Sequence, residues 1–392
     1  VRLKAAFLVT RDGKGEIGIG DSIVITFDDE GNGVRKTCIV IDGGYSRTAK
    51  FLKSYLDAEG IATIDLIVAT HIDDDHINGL RTFFDDYVED DGPFRVLNYW
   101  GPAPRSYEPV TITGFLALLP EAAGLGIEEL TFVSQSVDNN EKLWEAAKAC
   151  VGEGHIWHPS AETSGSVPAL FRSVKIEILG PARQVPSKEL ESAGVAAQGL
   201  GDAFLTEGVI DLRDRRLRGM IAAAAAESDH TANNQSIVFR LTPIDRSGRE
   251  VAEQSFLFPG DADLESWRTM IAGGNRHSLK ARYLKVAHHG SVTGTDESVL
   301  DNVRPEYGII CAGKNKHGLP DRSVFKLLQD RSVKIICTGR NPNTKDIPCA
   351  EESYEGRCPR RDAVTPVVFE IDTDRPPGGP PLGVPACGND WS

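Results

Sequence analysis

Short runs of Val, Ile, Leu and Phe recur along the chain, and each stops at Gly, Asp, His or Asn: CIVIDGG, LIVATHIDDDH, SFLFPGDA, YLKVAHHGS, YGIICAGKN and KIICTGRN. Apolar runs of this length bounded by turn residues predict buried strands. Each such strand carries a polar tip. Helical periodicity lies between them: HINGLRTFFDDYV sets Ile77, Leu80, Phe83, Phe84 and Tyr87 on one face, and DRSVFKLLQDR does the same for Val324, Leu327 and Leu328. The N-terminal stretch DSIVITFDDEGNGVRKTCIVIDGG predicts an antiparallel hairpin turning at EGNG. Together these patterns predict an α/β layered fold, sheets covered by helices, with the polar tips gathered along one edge.

Two regions break the pattern. Residues 185–232, with AAQGLGD, DLRDRRLRG and the run MIAAAAAE, read as a partly helical insertion in a domain spanning 1–372. Residues 373–392 form a Pro/Gly-rich tail predicted to be extended or disordered.

Composition narrows the picture. With 392 residues, 40% hydrophobic and 26% charged, the chain can bury a sizeable core. A net charge of −14 excludes a protein that coats nucleic acid through a broad basic surface, although a local basic groove is compatible with it. No apolar run approaches the roughly 20 residues of a membrane span, and VRLKAAFLVT lacks a signal-peptide pattern, so a cytoplasmic location without membrane association is expected. Seven scattered cysteines do not make a disulfide framework; Cys38, Cys311 and Cys337 read as core thiols.

The chemistry concentrates in THIDDDH. His71, Asp73 and Asp75 alternate on the loop leaving a strand, and His76 opens the next helix, so several N and O donors can converge on a divalent ion. A calcium loop registered on Asp74 would place His76 at its third position and Asp85 at its twelfth, a poor match; a solvated acidic turn is the plainer alternative. Two further strand tips favour the ion: Asp261 after Gly260, and His288 and His289 before Gly290.

With these motifs assembled, the chain resembles the metallo-β-lactamase-fold hydrolases, whose signature is H-x-H-x-D-H, a single His, a Gly-Asp strand end and a final His. It is more similar still to the ComEC-like branch, the hydrolase domain of the competence protein, with H-x-D-x-D-H, GDA and HHGS. The match runs in order through IGIGDSIVI, IDGG, THIDDDH, NNQSIVFRL, FPGDA, LKVAHHGS, VRPEYGIICAGKNKHGLP and ICTGR. The resemblance implies a four-layer αββα sandwich with a metal site at one edge of its sheets. It implies that Asp75, His76 and His288 hold one ion, His71 and Asp73 a second, that Asp261 bridges them, and that Asp42 is a buried support and not a ligand. Asp73 stands where the wider family has His, which favours harder ions such as Mn²⁺ while leaving Zn²⁺ open. The third-motif His has no clear counterpart; His230, then His155 and His158, are the nearest candidates. Leu319 stands where the branch has a His before Pro, with His317 two residues earlier.

The implied activity is a metal-dependent phosphodiesterase or nuclease using a metal-activated hydroxide, with Asp75, His289 and His317 catalytic. Ser291, Lys285, Asn234 and Ser236 are the expected substrate contacts, although strand alternation leaves the direction of Lys285 open and capping is the alternative for the NNQS pair. The expected partner is a phosphodiester, DNA or a nucleotide by analogy; the acidic charge favours a short one. Two alternatives stay open: hydrolysis of a lactam, lactone or thioester on the same fold, and a non-catalytic metal-binding regulatory module.

Overall fold

A computed structural model describes residues 1–29, 36–88, 92–102, 127–163, 169–182, 233–273, 279–341 and 365–373, with side chains of the helix at 127–151 described from 139 onward. The strands are β1 (Arg2–Phe7), β2 (Ile23–Asp28), β3 (Lys36–Ile41), β4 (Thr63–Ile64), β5 (Leu66–Val68), β6 (Arg95–Val96), β7 (Tyr99–Trp100), β8 (Ile156–Trp157), β9 (Val174–Gly180), β10 (Val238–Pro243), β11 (Phe256–Phe258), β12 (Tyr283–Lys285), β13 (Tyr307–Ile310), β14 (Lys334–Cys337) and β15 (Val367–Asp372). The helices are α1 (Thr48–Ala58), α2 (Asp74–Tyr87), α3 (Ile127–Val151), α4 (Leu264–Ala272), α5 (Glu297–Val303) and α6 (Arg322–Asp330).

One sheet runs β15-β1-β2-β3-β5-β7-β8 and a second runs β14-β13-β12-β11-β10-β9, with β4 and β6 forming a small pair. Strict alternation explains the layering. Ile23, Ile25 and Phe27 on β2 face Phe256 and Phe258 of β11, Tyr283 of β12 and Tyr307 of β13 in one core between the sheets. Their strand neighbours Val24 and Ile67 turn outward onto α1 and α2, which contribute Leu52, Leu56, Ile77, Leu80, Phe83 and Phe84. On the far side Leu257 and Leu284 meet Trp267, Val299, Leu300, Val324 and Leu328 of α4, α5 and α6. Three cores between four layers make the expected αββα sandwich, because a sheet buried on both faces must find an apolar partner on each. The aromatic side chains carry much of the inter-sheet core: Phe256 and Tyr283 stack at 4.4 Å between ring centroids and Tyr283 and Tyr307 at 5.2 Å.

Antiparallel pairing of β2 and β3 over Ile23–Asp28 and Lys36–Ile41 agrees with the predicted hairpin, whose turn lies outside the described residues. The apolar face of α6 differs from the pattern in one position: Phe325 is buried with Val324 and Leu328, and Leu327 only packs on the margin. The 185–232 insertion lies outside the described residues apart from its neighbours, as does the tail beyond Thr373, together with His230, Cys349 and Cys358. No described helix is long and apolar enough to cross a membrane.

Because β3, β5, β11, β12 and β13 run parallel to their neighbours within each sheet while β2 and β10 run opposite, the C-terminal tips of the first five lie on the edge where the last two begin. The helix that delivers the THIDDDH residues is seated against this edge by backbone contact: Gly79 N–H donates to Gly44 O at 2.6 Å and Gly43 N–H to His76 O at 2.7 Å. A Cβ on Gly79 would lie 1.8 Å from Gly43 O, so only glycine permits this approach. Gly79→Ala should therefore push α2 off the loop and cost about 3 kcal/mol of stability, read from the shift in urea midpoint.

Candidate metal centre

Asp42 organises the site from behind. It follows β3 with φ of 54°, and its buried carboxylate accepts the Thr70 N–H at 2.8 Å, the Thr70 hydroxyl at 2.7 Å and His76 Nδ1–H at 2.8 Å. Both oxygens are thereby used, in keeping with a supporting carboxylate. The Thr70 hydroxyl, having given its proton to Asp42, accepts from His71 Nδ1–H at 3.0 Å. His289 Nδ1–H donates to the Cys311 carbonyl at 3.0 Å. Acceptor-only partners thus hold a proton on Nδ1 of all three imidazoles, and each turns Nε2 to the same space.

There the donors converge. His76 Nε2 lies 3.3 Å from His289 Nε2 and 3.4 Å from Asp261 Oδ2. His289 Nε2 lies 3.1 Å from Asp261 Oδ2 and 3.2 Å from Asp75 Oδ2. Donor atoms around a divalent ion bound at about 2.1 Å sit about 3.0–3.4 Å apart in octahedral or tetrahedral geometry, so these separations suit the edges of one coordination shell. A second group lies alongside: His71, fully buried, has no hydrogen-bond partner at Nε2, which faces Asp73 Oδ2 at 3.4 Å. Asp73 sits at the N-cap of α2 without capping it, so its carboxylate is left for this direction. The ligating atoms of His71, His76 and Asp261 also lie within 4.8 Å of one another. An orphaned buried imidazole nitrogen beside this many carboxylates fits a divalent cation.

The local electrostatics agree. Burial works against a charge on His289, but Asp261 and Asp75 outweigh it and raise its pKa to about 9. Burial likewise opposes a charge on His76, yet Asp261, Asp42, Asp21 and Asp75 push it well above the ordinary histidine value. Burial would lift the Asp75 and Asp261 carboxyls, but the facing histidines, and Lys285 beside Asp261, carry both below the usual range.

Several sequence expectations change. His289 joins the donor cluster alongside the expected residues; His288 and His289 both adopt left-handed φ, of 47° and 52°, and His288 bonds through Nδ1 to Thr293 Oγ1 at 3.0 Å with its ring in the field of Asp261, Asp73 and Asp75. Lys285 is no substrate contact: it is 1% exposed, and its ammonium donates to Asp21 Oδ2 at 2.6 Å, Gly260 O at 2.8 Å and Asp261 Oδ1 at 2.9 Å. Ser236 is buried, its hydroxyl accepting the Asp261 N–H at 3.2 Å, and Asn234 Oδ1 accepts from Ser266 Oγ at 2.8 Å, so both hold the chain around Asp261 and neither caps a helix. Ser291 is buried against Thr293 Oγ1 at 2.9 Å. His317 is exposed on a loop folded around Asn315, whose Oδ1 accepts the His317 N–H at 3.1 Å, and desolvation and Lys316 lower its pKa while Asp75 raises it. His155 pairs with Asn98 Oδ1 at 3.2 Å and His158 with Gly101 O at 2.8 Å, so neither enters the donor cluster. Asp21 was overlooked, although the GD of IGIGDS has the form of the other polar tips and β2 alternation turns it inward with Ile23.

Residues 18–111 match the family model described as the metallo-beta-lactamase superfamily. Over that stretch the chain is similar to a metallo-β-lactamase domain. The chain is also 29% identical over 134 residues to ComE operon protein 3 of Bacillus subtilis (strain 168), a match covering 34% of this chain and 16% of that relative, a likeness to the ComEC-like branch. A solved Thermotoga maritima protein assigned to the metallo-beta-lactamases covers 45% of this chain and 66% of its own length at 14% identity and a TM-score of 0.25, a likeness that lends no weight.

Because His289 must lose its Nε2 proton before it can bind an ion, ion uptake should release protons at neutral pH and tighten as pH rises toward about 9. Titration calorimetry of Zn²⁺ into metal-stripped protein, in buffers of different ionisation enthalpy at pH 7 and pH 9, measures this release.

Proposed function

We propose that the protein is a metal-dependent hydrolase that cleaves phosphodiesters, a phosphodiesterase or nuclease. The observation that carries the reading is the convergence of His76 Nε2, His289 Nε2, Asp261 Oδ2 and Asp75 Oδ2 at separations of 3.1–3.4 Å. His76, His289, Asp75 and Asp261 would hold the first ion, and His71 and Asp73, with Asp261 between the two groups, a second. A divalent ion in this shell supplies Lewis acidity and lowers the pKa of water toward about 7.

The chain's own residues do the rest. Asp42, Thr70 and the Cys311 carbonyl keep the Nδ1 protons in place, so that the three imidazoles present lone pairs. The three carboxylates of Asp73, Asp75 and Asp261 make the donor set richer in oxygen than a three-histidine site, which suits Mn²⁺ as well as Zn²⁺. His317 stands on the exposed side, within reach of the field of Asp75 and His289; its lowered pKa leaves the ring largely neutral at pH 7, suited to accept a proton before it gives one up. Similarity to the ComEC-like branch supports a phosphodiester substrate, and a net charge of −14 favours a short or locally held one over a long duplex.

Bis(p-nitrophenyl) phosphate should be hydrolysed by metal-stripped protein once Mn²⁺ or Zn²⁺ is restored. Asp75→Asn should lower the rate at least about 100-fold, and His317→Ala should lower kcat about tenfold or more while leaving ion uptake unchanged. Full ion occupancy without turnover of this ester, but with turnover of nitrocefin or an acyl lactone, would replace the phosphodiester reading with a carbonyl one. Occupancy with neither would leave a binding module.

A further inference from the structure

The ligands of the metal centre come from both halves of the sandwich. Asp75 and His76 follow β5 of the seven-stranded sheet, while Asp261 and His289 follow β11 and β12 of the six-stranded sheet. Their separation depends on how the two sheets are held apart at this edge, and apolar packing below the edge is a non-directional way to hold it. Alternation along β12 puts Tyr283 into the inter-sheet core and Leu284 outside it, so Lys285 points between the sheets. Alternation along β2 sends Asp21 into the same space from the opposite sheet. They meet there at 2.6 Å, each no more than 2% exposed.

The contacts of this pair lead to the ligands on either side. Lys285 Nζ spans Gly260 O at 2.8 Å and Asp261 Oδ1 at 2.9 Å, so it grips the backbone before Asp261 and one oxygen of its carboxylate, leaving Oδ2 toward the imidazoles. Three acceptors match the three N–H bonds of the ammonium. On the other side the Asp21 N–H donates to Asp75 O at 3.2 Å. Gly20, with φ of 134°, makes room for that contact, because a Cβ there would lie 2.5 Å from Asp75 O. A continuous path therefore runs from Asp75 through Asp21 and Lys285 to Asp261, on the Nδ1 side of the imidazoles, where Asp21 lies 3.5 Å from His289 Nδ1 and within 4.8 Å of the ligating atoms of His76 and His289.

We propose that Asp21 and Lys285 are positioning residues: their ion pair clamps the two ligand-bearing halves of the sandwich and restricts Asp261 to ligation through Oδ2. The inference rests on the metal-centre reading above. It differs from mere neutralisation of buried charge, which would act on the stability of the fold and leave ion binding by the folded protein alone.

The test uses the full metal-stripped chain and compares wild type with Asp21→Asn, which keeps the Lys285–Asp261 contact, and with the double variant Asp21→Asn, Lys285→Met, which leaves no buried ammonium unpaired. Zn²⁺ affinity is read by competition with a chromophoric chelator, Co²⁺ coordination by visible absorption, and stability of the metal-free fold by its melting temperature. Both variants should bind Zn²⁺ about 10- to 100-fold more weakly, and the double variant, which frees Asp261 Oδ1, should also show a weaker Co²⁺ band as Asp261 ligates through two oxygens. That loss should appear far below the melting transition. Wild-type affinity and an unchanged Co²⁺ spectrum in both variants would overturn the clamp, whatever the melting temperature does. Failure of the wild-type protein to take up any ion would overturn the metal-centre reading itself, and the clamp with it.

Discussion

Burying several carboxylates at one edge of a sandwich is the constraint around which this structure is arranged. Asp21, Asp42 and Asp261 are each almost wholly inaccessible, and Asp75 sits beside them. A carboxylate withdrawn from water costs several kcal/mol unless it is paired and hydrogen-bonded. The chain answers with one ammonium, two protonatable imidazoles and a set of hydroxyl and backbone donors. Asp42 receives two donors from Thr70 and one from His76, and Asp261 receives Lys285 and the imidazoles. The remaining negative charge has no fixed partner, and that deficit is what a divalent ion would fill.

The position of this edge follows from strand period and direction. Inward residues of β2, β3, β5, β11, β12 and β13 are apolar through the body of the sandwich, as in Ile25, Ile39, Val68, Phe256 and Tyr283. Toward the tips the same parity passes to Asp21, Thr70, Lys285 and Cys311. The site is thus the upper end of the inter-sheet core, with the side chains changed from apolar to polar where the strands end. The glycines at 20, 43, 79 and 260 have one common use, since each lets a backbone or a strand tip approach where a Cβ would collide.

Much of this was legible in the residues themselves. Strand tips ending in IDGG, ATHIDDDH, FPGDA and VAHHGS identified the edge, and the helical period over Ile77 to Phe84 located α2. What escaped was decided by local backbone geometry and by partners distant in sequence. Adjacent histidines such as His288 and His289 are alike in composition, and the left-handed turn that both occupy sets how each ring is presented, His289 to the donor cluster and His288 through Nδ1 to Thr293. Lys285 beside a histidine pair invites a phosphate-binding role. Its parity with Tyr283 was available, but the acceptors that saturate it stand 24 and more residues away in sequence.

The two groups of donors are not equivalent, and the difference bears on chemistry. Around His289 the separations close into a compact set of two imidazoles and two carboxylates drawn from both sheets. The group around His71 has Asp73 close by and reaches Asp261 less tightly, within the 4.8 Å that spans it with His76. On the proposed reading the compact group would hold the more strongly bound ion and the open group a weaker, harder one, since fewer and more oxygen-rich donors favour ions that keep water in their shell. An ion that keeps exchangeable ligands is also the one best placed to meet a phosphate oxygen, so the division of donors between the halves supports hydrolysis over a purely structural use of metal.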